Sequence, residues 1–482
     1  MPGSEDKTRL LLVTSNGWGM GHLTRQLAIA MAGQERATST LFSLSLGLPA
    51  VIGEVPGEYC PGSDRQWVKG AHWHSYLCDR LVAIAKETKA EALLFDGVAP
   101  YPGLIRARPR LPRVHFTWMR RGLWRPGEHR DRLGRGEVFD LIIEPGDLAA
   151  EADRGATAGL TDAVKVSPVT MLDVVEPLPR EEAARALGLD PERLTVLVTL
   201  GSGRLGDITE PATVVLRTLL SDPRWQICLT KASIALQGVP VLDPERIVEL
   251  KGVYPLVRYL AAFDAVISAA GYNAVHEFIP AALPTLFVPN PVTFTDDQEA
   301  RAQWLADRGL ALTARADQPD LLASLTSSLA DPVVRRDLIE ACTEVPPKNL
   351  RGGAAQTADL LVKEAATFRP APGSSLREAT HLTASAGREA VKRLLGPRVT
   401  NGLRRLLGRP TYGDKADQLP VQIVTEWSQS SGTVEPLYLG SEVTGEMIRQ
   451  GPPVEHVLAG ASNRYRRRRR RIVSRYYSVR RT

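Results

Sequence analysis

The chain has 482 residues, of which 43% are hydrophobic, 24% charged and 6% aromatic, enough apolar material for two or three globular cores and too much for disorder throughout. Lys plus Arg (60) exceed Asp plus Glu (54) by +6, yet ten arginines and no acid fall within residues 461–482, so removing those ten from +6 leaves residues 1–460 at −4. The basic balance is therefore a tail on a mildly acidic body; it gives no support to a nucleic-acid groove in the body, and nucleic acid is not an expected partner.

No run reaches the ~18 to 20 consecutive apolar residues of a membrane span, and the opening MPGSEDKTRLLLVTSNG has charges but no apolar core followed by a cleavage site. Cys60, Cys78, Cys228 and Cys342 lie far apart without a CxxC pair, which suits a reducing compartment. The expectation is a cytoplasmic protein. Its alanine- and arginine-rich, lysine-poor composition fits a GC-rich bacterial genome, an observation about coding and not about activity.

In chain order, RLLLVT leads through SNGWGMGH into TRQLAIAMAG, where Leu27, Ala28, Met31 and Ala32 recur at helical spacing: strand, tight loop, helix. EALLFDG, RVHFTWM and VFDLIIEPG repeat the strand pattern, each a short apolar run closed by Gly, Pro or a polar loop, with the helix-like YLCDRLVAIAKETKA among them. EPLPREEAARALGLDPE, rich in Pro and charge, reads as an interdomain connection. A second unit then opens with LTVLVTL and GSGRLGD, continues through the helix PATVVLRTLL and the strands WQICLT, RIVELKG, AVISAA and TLFVP, and carries helices over 273–281, 297–308, 317–330 and 353–366.

This alternation predicts an α/β protein with two Rossmann-like doubly wound domains facing a cleft, residues 1–178 and 190–366. From 367 to 482 the chain becomes a basic extension with two short amphipathic pieces, REAVKRLL and NGLRRLL, and an Arg-rich tail. That tail has the composition of a disordered segment.

Two clusters carry chemistry. The first loop, Gly17 to His22, is spaced G-x-G-x-G-H and not G-x-G-x-x-G, which argues against a dinucleotide fingerprint. A histidine entering a helix faces the positive end of the helix dipole, which favours the neutral imidazole of a general base; a packing or capping histidine is the competing reading. In the second cluster, Gly271 permits a sharp turn after AVISAA, and Tyr272 and Asn273 open a helix whose free N–H groups suit a diphosphate. Glu277, one turn further, is placed for ribose hydroxyls. Asp296, Asp297 and Gln298 suit sugar hydroxyls, with helix capping by an aspartate as the alternative.

GWGMGH, SAAGYNAVHE, LPTLFVP and DDQEARA, in that order, resemble the two-domain GT-B glycosyltransferases of family 28 over residues 8–366, most closely over 195–310. That family includes the peptidoglycan N-acetylglucosaminyltransferase that makes lipid II and the diacylglycerol glycosyltransferases. The resemblance implies a glycosyltransferase moving a hexose or N-acetylhexosamine from a UDP-sugar to a hydroxyl acceptor with inversion, without a metal or other cofactor. It implies His22 as the base, with Gly19 and Gly21 beside the acceptor, and Gly201, Ser202 and Gly203 at the donor phosphates. It further implies backbone near Val253 at the uracil edge, Gly271, Tyr272 and Asn273 at the diphosphate, Glu277 at the ribose, and Asp297 with Gln298 at the transferred sugar. The lipid II enzymes carry a glutamine pair further into the last motif where this chain has a single DDQ followed by Glu299, so the sugar stays open.

Arg120, Arg121 and Arg125 stand among Trp118 and Trp124 just after a strand, a combination suited to an anionic or sugar-bearing acceptor, or equally to a solvated basic rim. His72, His74 and Cys78 with Cys60 have no usual zinc spacing. The tail, Arg466 to Arg471, suits reversible attraction to the anionic inner face of the cell membrane, at roughly 1 kcal/mol per arginine, against a solvated tail with no specific partner. The rival readings are a nucleotide-sugar epimerase or hydrolase, for which Asp96 is the only plausible first-domain strand-end acid, and a non-catalytic scaffold; oligomeric state is open.

Overall fold

The computed structural model describes residues 7–370, apart from 16–19, 46, 49–50, 52–54, 61, 63–69, 128–129, 202–207, 231–245, 251 and 294. Gly17, Trp18, Gly19, Ser202, Gly203 and the extension from 371 to 482 thus lie outside the described residues, as does the side chain of His72.

The first domain runs β1 (Thr8–Thr14), α1 (Gly21–Ala32), β2 (Ala37–Ser43), β3 (Gly57–Tyr59), α2 (Gly70–Glu87), β4 (Ala92–Asp96), α3 (Pro102–Ala107), β5 (His115–Met119), β6 (Leu141–Pro145) and β7 (Val164–Val166). The second runs α4 (Arg180–Leu187), β8 (Leu194–Thr199), α5 (Thr209–Ser221), β9 (Trp225–Thr230), β10 (Ile247–Leu250), β11 (Ala265–Ser268), α6 (Tyr272–Phe278), β12 (Thr285–Phe287), α7 (Gln298–Ala306), β13 (Leu312–Thr313), α8 (Pro319–Ser328) and α9 (Pro332–Thr343). A last helix, α10, spans Gly353–Thr367.

Both sheets are parallel, with strand orders 3-2-1-4-5-6-7 and 10-9-8-11-12-13. In each, the chain reverses direction of travel beside its first strand, the place where open α/β sheets form a ligand crevice at the strands' carboxyl ends. The two-residue period of β1 divides its side chains between two cores. Leu10 and Leu12 join Leu27, Leu94 and Met119 on one face, and Leu11 and Val13 join Phe42, Phe95 and Leu81 on the other. In β8, Leu197 points to one core while Val196 and Val198 meet Val215, Leu216 and Leu219 of α5 in the other. Burial on both faces explains why these strands read as continuous apolar runs.

Two boundaries differ from the expected ones. The Pro-rich connection contains α4, which packs on residues 256–262 of the second domain. Arg180 forks Asp264 at 3.1 and 2.9 Å, and Gly188 ends the helix at φ +70. More consequentially, α10 does not complete the second domain but returns to the first, where it covers α1, β4 and β5. Asp173 accepts from the N–H groups of Gly352 (2.8 Å) and Ala354 (3.0 Å). The approach is close enough to need glycine at both ends: a Cβ on Gly33 would stand 2.9 Å from that of Ala358, and one on Gly353 would overlap the Ser167 carbonyl. β2, β3, β7 and β13 were not resolved by sequence periodicity, being short or partly polar.

Candidate active site

The carboxyl ends of β4 and β6, the start of α1, and the turns entering α6 and α7 meet where the two domains face each other. His22 is the second residue of α1 and keeps 15% of its side chain exposed. Its Nδ1 lies 2.8 Å from Oδ1 of Asp96, the last residue of β4. Arg25, one turn along the same face of α1, forks Asp96 through Nε (2.9 Å) and Nη2 (2.9 Å) and places Nη2 2.8 Å from His22 Nδ1. A carboxylate only accepts, so pairing with Asp96 puts the proton on Nδ1, with Arg25 Nη2 spending its N–H on Asp96 and only abutting the ring; this tautomer leaves the Nε2 lone pair open. Burial pulls the His22 pKa below the ordinary imidazole value, with Arg25 and Arg121 acting in the same sense and Asp96 against them. Burial also disfavours an ionised Asp96, but Arg25 and His22 override it and hold that carboxyl well below the usual range.

The second domain reaches this cluster through Asn273. Its Oδ1 accepts from Arg25 Nη1 at 3.0 Å, and its Nδ2 donates to the Gly21 carbonyl at 3.3 Å. Tyr272 does not present its hydroxyl to the cleft: the side chain is buried, the Oη donates to Gly146 O (2.9 Å) and accepts from Val169 N–H (3.1 Å), and the ring lies on His276. Only its backbone remains for a ligand. Gly271 caps α6 with extended backbone, beside Gln298.

Glu277 differs from every other acid at this boundary. It is 9% exposed and makes no hydrogen bond or ion pair among the described residues, and burial alone pushes its pKa up to about 8. Tyr254 is near enough to feel its charge and donates to Thr24 Oγ1 at 3.3 Å, which ties the 252–255 turn to α1. Val253 is half-buried in that turn, after Gly252 at φ +66. Gly201, at the end of β8, is exposed with φ +93.

The DDQ segment and the 120–125 segment are engaged with each other. Trp124 and Asp296 form an antiparallel bridge, flanked by Asp297 N–H to Leu123 O (3.0 Å) and Arg125 N–H to Thr295 O (2.7 Å). Asp297 Oδ1 caps α7 by accepting from Ala300 N–H at 3.1 Å, the capping alternative raised by the sequence. Gln298 accepts from Asn290 N–H at 3.0 Å and donates to Asp296 at 3.3 Å, so both ends of its amide are occupied.

Three placements correct the expected acceptor-side set. Arg120 has 0% of its side chain exposed and forks Asp162 at 2.8 and 2.5 Å, because it follows β5 on the side facing away from His22. Trp124 is 3% exposed with its Nε1 donating to Arg121 O, so its face is closed to a sugar in this arrangement. Arg125 donates to Pro291 O and lies 3.4 Å from Glu299. Arg121 alone of the three stays at the cleft, 3.3 Å from Asp296 and close enough to act on His22.

Arg301 is a charged group that no motif in the sequence singles out. Fully buried, it bonds Asp147 (3.0 and 2.9 Å), Asp296 (2.8 Å) and the Ala270 carbonyl (3.0 Å). The signals were available: Arg25 is three residues from His22, Arg301 five from Asp296, and Asp96 and Asp147 sit at or just past strand ends. What sequence lacks is the pairing between domains. Cys78 takes an N–H from Arg110 at 3.3 Å, and among the described residues no three His, Cys, Asp or Glu side chains converge as metal ligands.

Residues 247–333 match the glycosyltransferase family 28 C-terminal domain. The chain carries that match within its second domain. Among curated proteins it is similar to the UDP-N-acetylglucosamine–N-acetylmuramyl-(pentapeptide) pyrophosphoryl-undecaprenol N-acetylglucosamine transferases of Halalkalibacterium halodurans (24% identical over 193 residues, 39% of this chain and 52% of that protein) and Clavibacter sepedonicus (31% over 192 residues, 39% and 50%). The chain thus spans about half the length of the curated relatives it matches. Among solved structures, a spinosyn forosaminyltransferase (TM-score 0.52, 14% identical) and the glycosyltransferase of kitacinnamycin (TM-score 0.51, 15% identical) each cover 74% of this chain and 100% and 99% of their own, and share the GT-B fold. The family 28 match covers β10 to α8 and the start of α9, and so includes Glu277, Asn273 and the DDQ segment.

Proposed function

We propose that this GT-B chain of family 28 type transfers a hexose or N-acetylhexosamine from a UDP-sugar to a hydroxyl acceptor, with inversion and without a metal. The observation that carries this reading is Glu277: a carboxyl group nine-tenths buried, without a partner among the described residues, one turn from Asn273 and on the same side as the 252–255 turn. A buried acid with no donor is costly. A vicinal diol supplies two O–H donors and removes the cost.

In the proposed reaction the acceptor oxygen attacks the anomeric carbon from the face opposite the diphosphate. His22 Nε2 takes the acceptor proton as the new C–O bond forms, and the anomeric carbon–phosphate oxygen bond breaks with its electron pair passing to UDP. Asp96 holds the imidazole in the required tautomer. The charge developing on the diphosphate is met by the open N–H groups at Gly271 to Asn273 and by Arg121. The epimerase or hydrolase alternative needs free carboxylates near the sugar carbon, and Asp96, Asp147 and Asp296 are all committed to arginines. Among the described residues no helix is long and apolar enough to cross a membrane, and reversible membrane contact by the Arg-rich tail belongs to the same proposal.

Calorimetry with UDP, GDP, TDP and NAD on the wild type and Glu277→Ala tests the donor site. The expected outcome is UDP-selective binding weakened by about 1.5 to 3 kcal/mol in the variant. Folded protein that binds none of the four would end the transferase reading.

A further inference from the structure

His22 carries a contradiction that its neighbours resolve. A carboxylate 2.8 Å from an imidazole orients the ring, but it also favours the imidazolium, which cannot accept a proton. At this site the carboxylate is not alone. The Arg25 guanidinium is 2% exposed, occupies both oxygens of Asp96, and adds its own positive charge beside Nδ1. The charged groups acting on the ring are Asp96 from the end of β4, Arg25 from α1 and Arg121 from the segment after β5; the second domain contributes the neutral Asn273. Two cations oppose the one anion, so the ring is oriented by a carboxylate whose negative field is partly offset, while burial works against the imidazolium throughout.

Arg25 is itself held from across the domain boundary. Its Nε and Nη2 are used within the first domain, and Nη1 donates to Asn273 Oδ1 at 3.0 Å, a partner 248 residues away. The Tyr272 ring lies beneath the guanidinium, with the carbon centre 5.1 Å from the ring centroid. Both of these restraints are at the start of α6, where the proposed donor is bound.

We propose that Arg25 is a positioning residue that helps keep His22 unprotonated by offsetting the charge of Asp96, and that its bond to Asn273 makes this depend on docking of the second domain. His22 is then a competent base only while the two halves of the site are assembled. The inference rests on the transferase reading for its meaning. Its geometry does not depend on which sugar is moved.

The test is histidine-selective isotope labelling of the full chain, with the His22 ring signals identified by their loss in His22→Gln, followed by an NMR pH titration. In the wild type, His22 is expected to titrate below the ordinary imidazole value. Arg25→Gln is expected to raise its apparent pKa by about one unit, because Asp96 is then opposed only by Arg121 and by burial, and Arg25→Lys to keep most of the wild-type behaviour by retaining the charge. Asn273→Ala retains every charge and is expected to raise the pKa by a smaller amount. It also supplies the answer should Arg25→Gln not fold. A His22 titration unchanged in folded Arg25→Gln overturns the proposal, and an unchanged titration in Asn273→Ala overturns its dependence on docking. UDP calorimetry on the same samples separates the two readings: shifted titrations with no UDP binding leave the Arg25 proposal standing and remove the transferase.

Discussion

Two buried carboxyl groups of the second domain, nineteen residues apart in sequence, are treated in opposite ways. Asp296 has Arg301 at 2.8 Å and Arg121 at 3.3 Å, and these override burial to hold it ionised, with a pKa well below the usual range. Glu277 has no such partner among the described residues, and burial pushes it up to about 8. The satisfied acid joins the domains to each other. The unsatisfied one is, in the proposed function, the place where the donor completes the structure. Both stand in a motif that draws the eye in the sequence, so motif alone does not distinguish a residue that binds a ligand from one that braces the site.

The sharpest way to break the contrast is to remove the partner of the satisfied pair. Arg301→Met leaves Asp147 and Asp296 buried without their main cation, and a loss of about 3 to 5 kcal/mol is expected in urea denaturation. A loss below 1 kcal/mol would mean that the domain boundary relaxes and admits water, and that the network is not the brace described here.

Glu277 sharpens the contrast from the other side. Its pKa is raised in the folded state, so above the unfolded value near 4.5 the native protein binds the proton more tightly than the unfolded chain does. Stability contributed by the protonated acid is present at low pH and is lost, at about 1.4 kcal/mol per pH unit, as pH rises toward 8, levelling off above it. Glu277→Gln cannot ionise. The stability difference between variant and wild type should therefore grow in the variant's favour from about pH 4.5 to 8, and a constant difference across that range would show that the carboxyl is already solvated or paired.

A smaller effect separates Asp297 from its neighbour Asp296. Asp297→Ala removes the α7 cap and should cost about 1 kcal/mol in thermal or urea unfolding, with affinity for a UDP-hexose preserved relative to UDP, whereas a selective loss of UDP-hexose affinity would return the residue to direct contact with the transferred sugar.

The alternation of apolar runs and amphipathic segments made both parallel sheets legible, because strands buried on two faces and helices buried on one leave different periods in the sequence. His22, Asn273 and Glu277 were legible as a set because each follows a strand-loop-helix entry, where a parallel sheet places its functional groups. Arg120 and Trp124 were not. Residues just after a strand alternate in direction as those within it do, and nothing in HFTWMRRGLW says that Arg120 turns toward Asp162 while Arg121 turns toward Asp296. The return of α10 was equally hidden, since its apolar face has the same helical period whichever domain it covers. Its glycines gave no more than a hint: Gly33 and Gly353 need their small size only because the two segments meet.

That return has a consequence for the order in which the molecule can be made. Ala358 and Leu361 of α10 are fully buried in the core that also contains Leu27, Leu94 and Met119 of the first domain. A growing chain that has released residues 7–166 has all seven strands of its first sheet but lacks the helix that seals one face, and that face stays uncovered until the whole second domain has followed. Synthesis thus runs the two halves in sequence but finishes the first one last. A chain released only as far as residue 350 would hold a second domain complete through α9 beside a first domain with an open apolar seam.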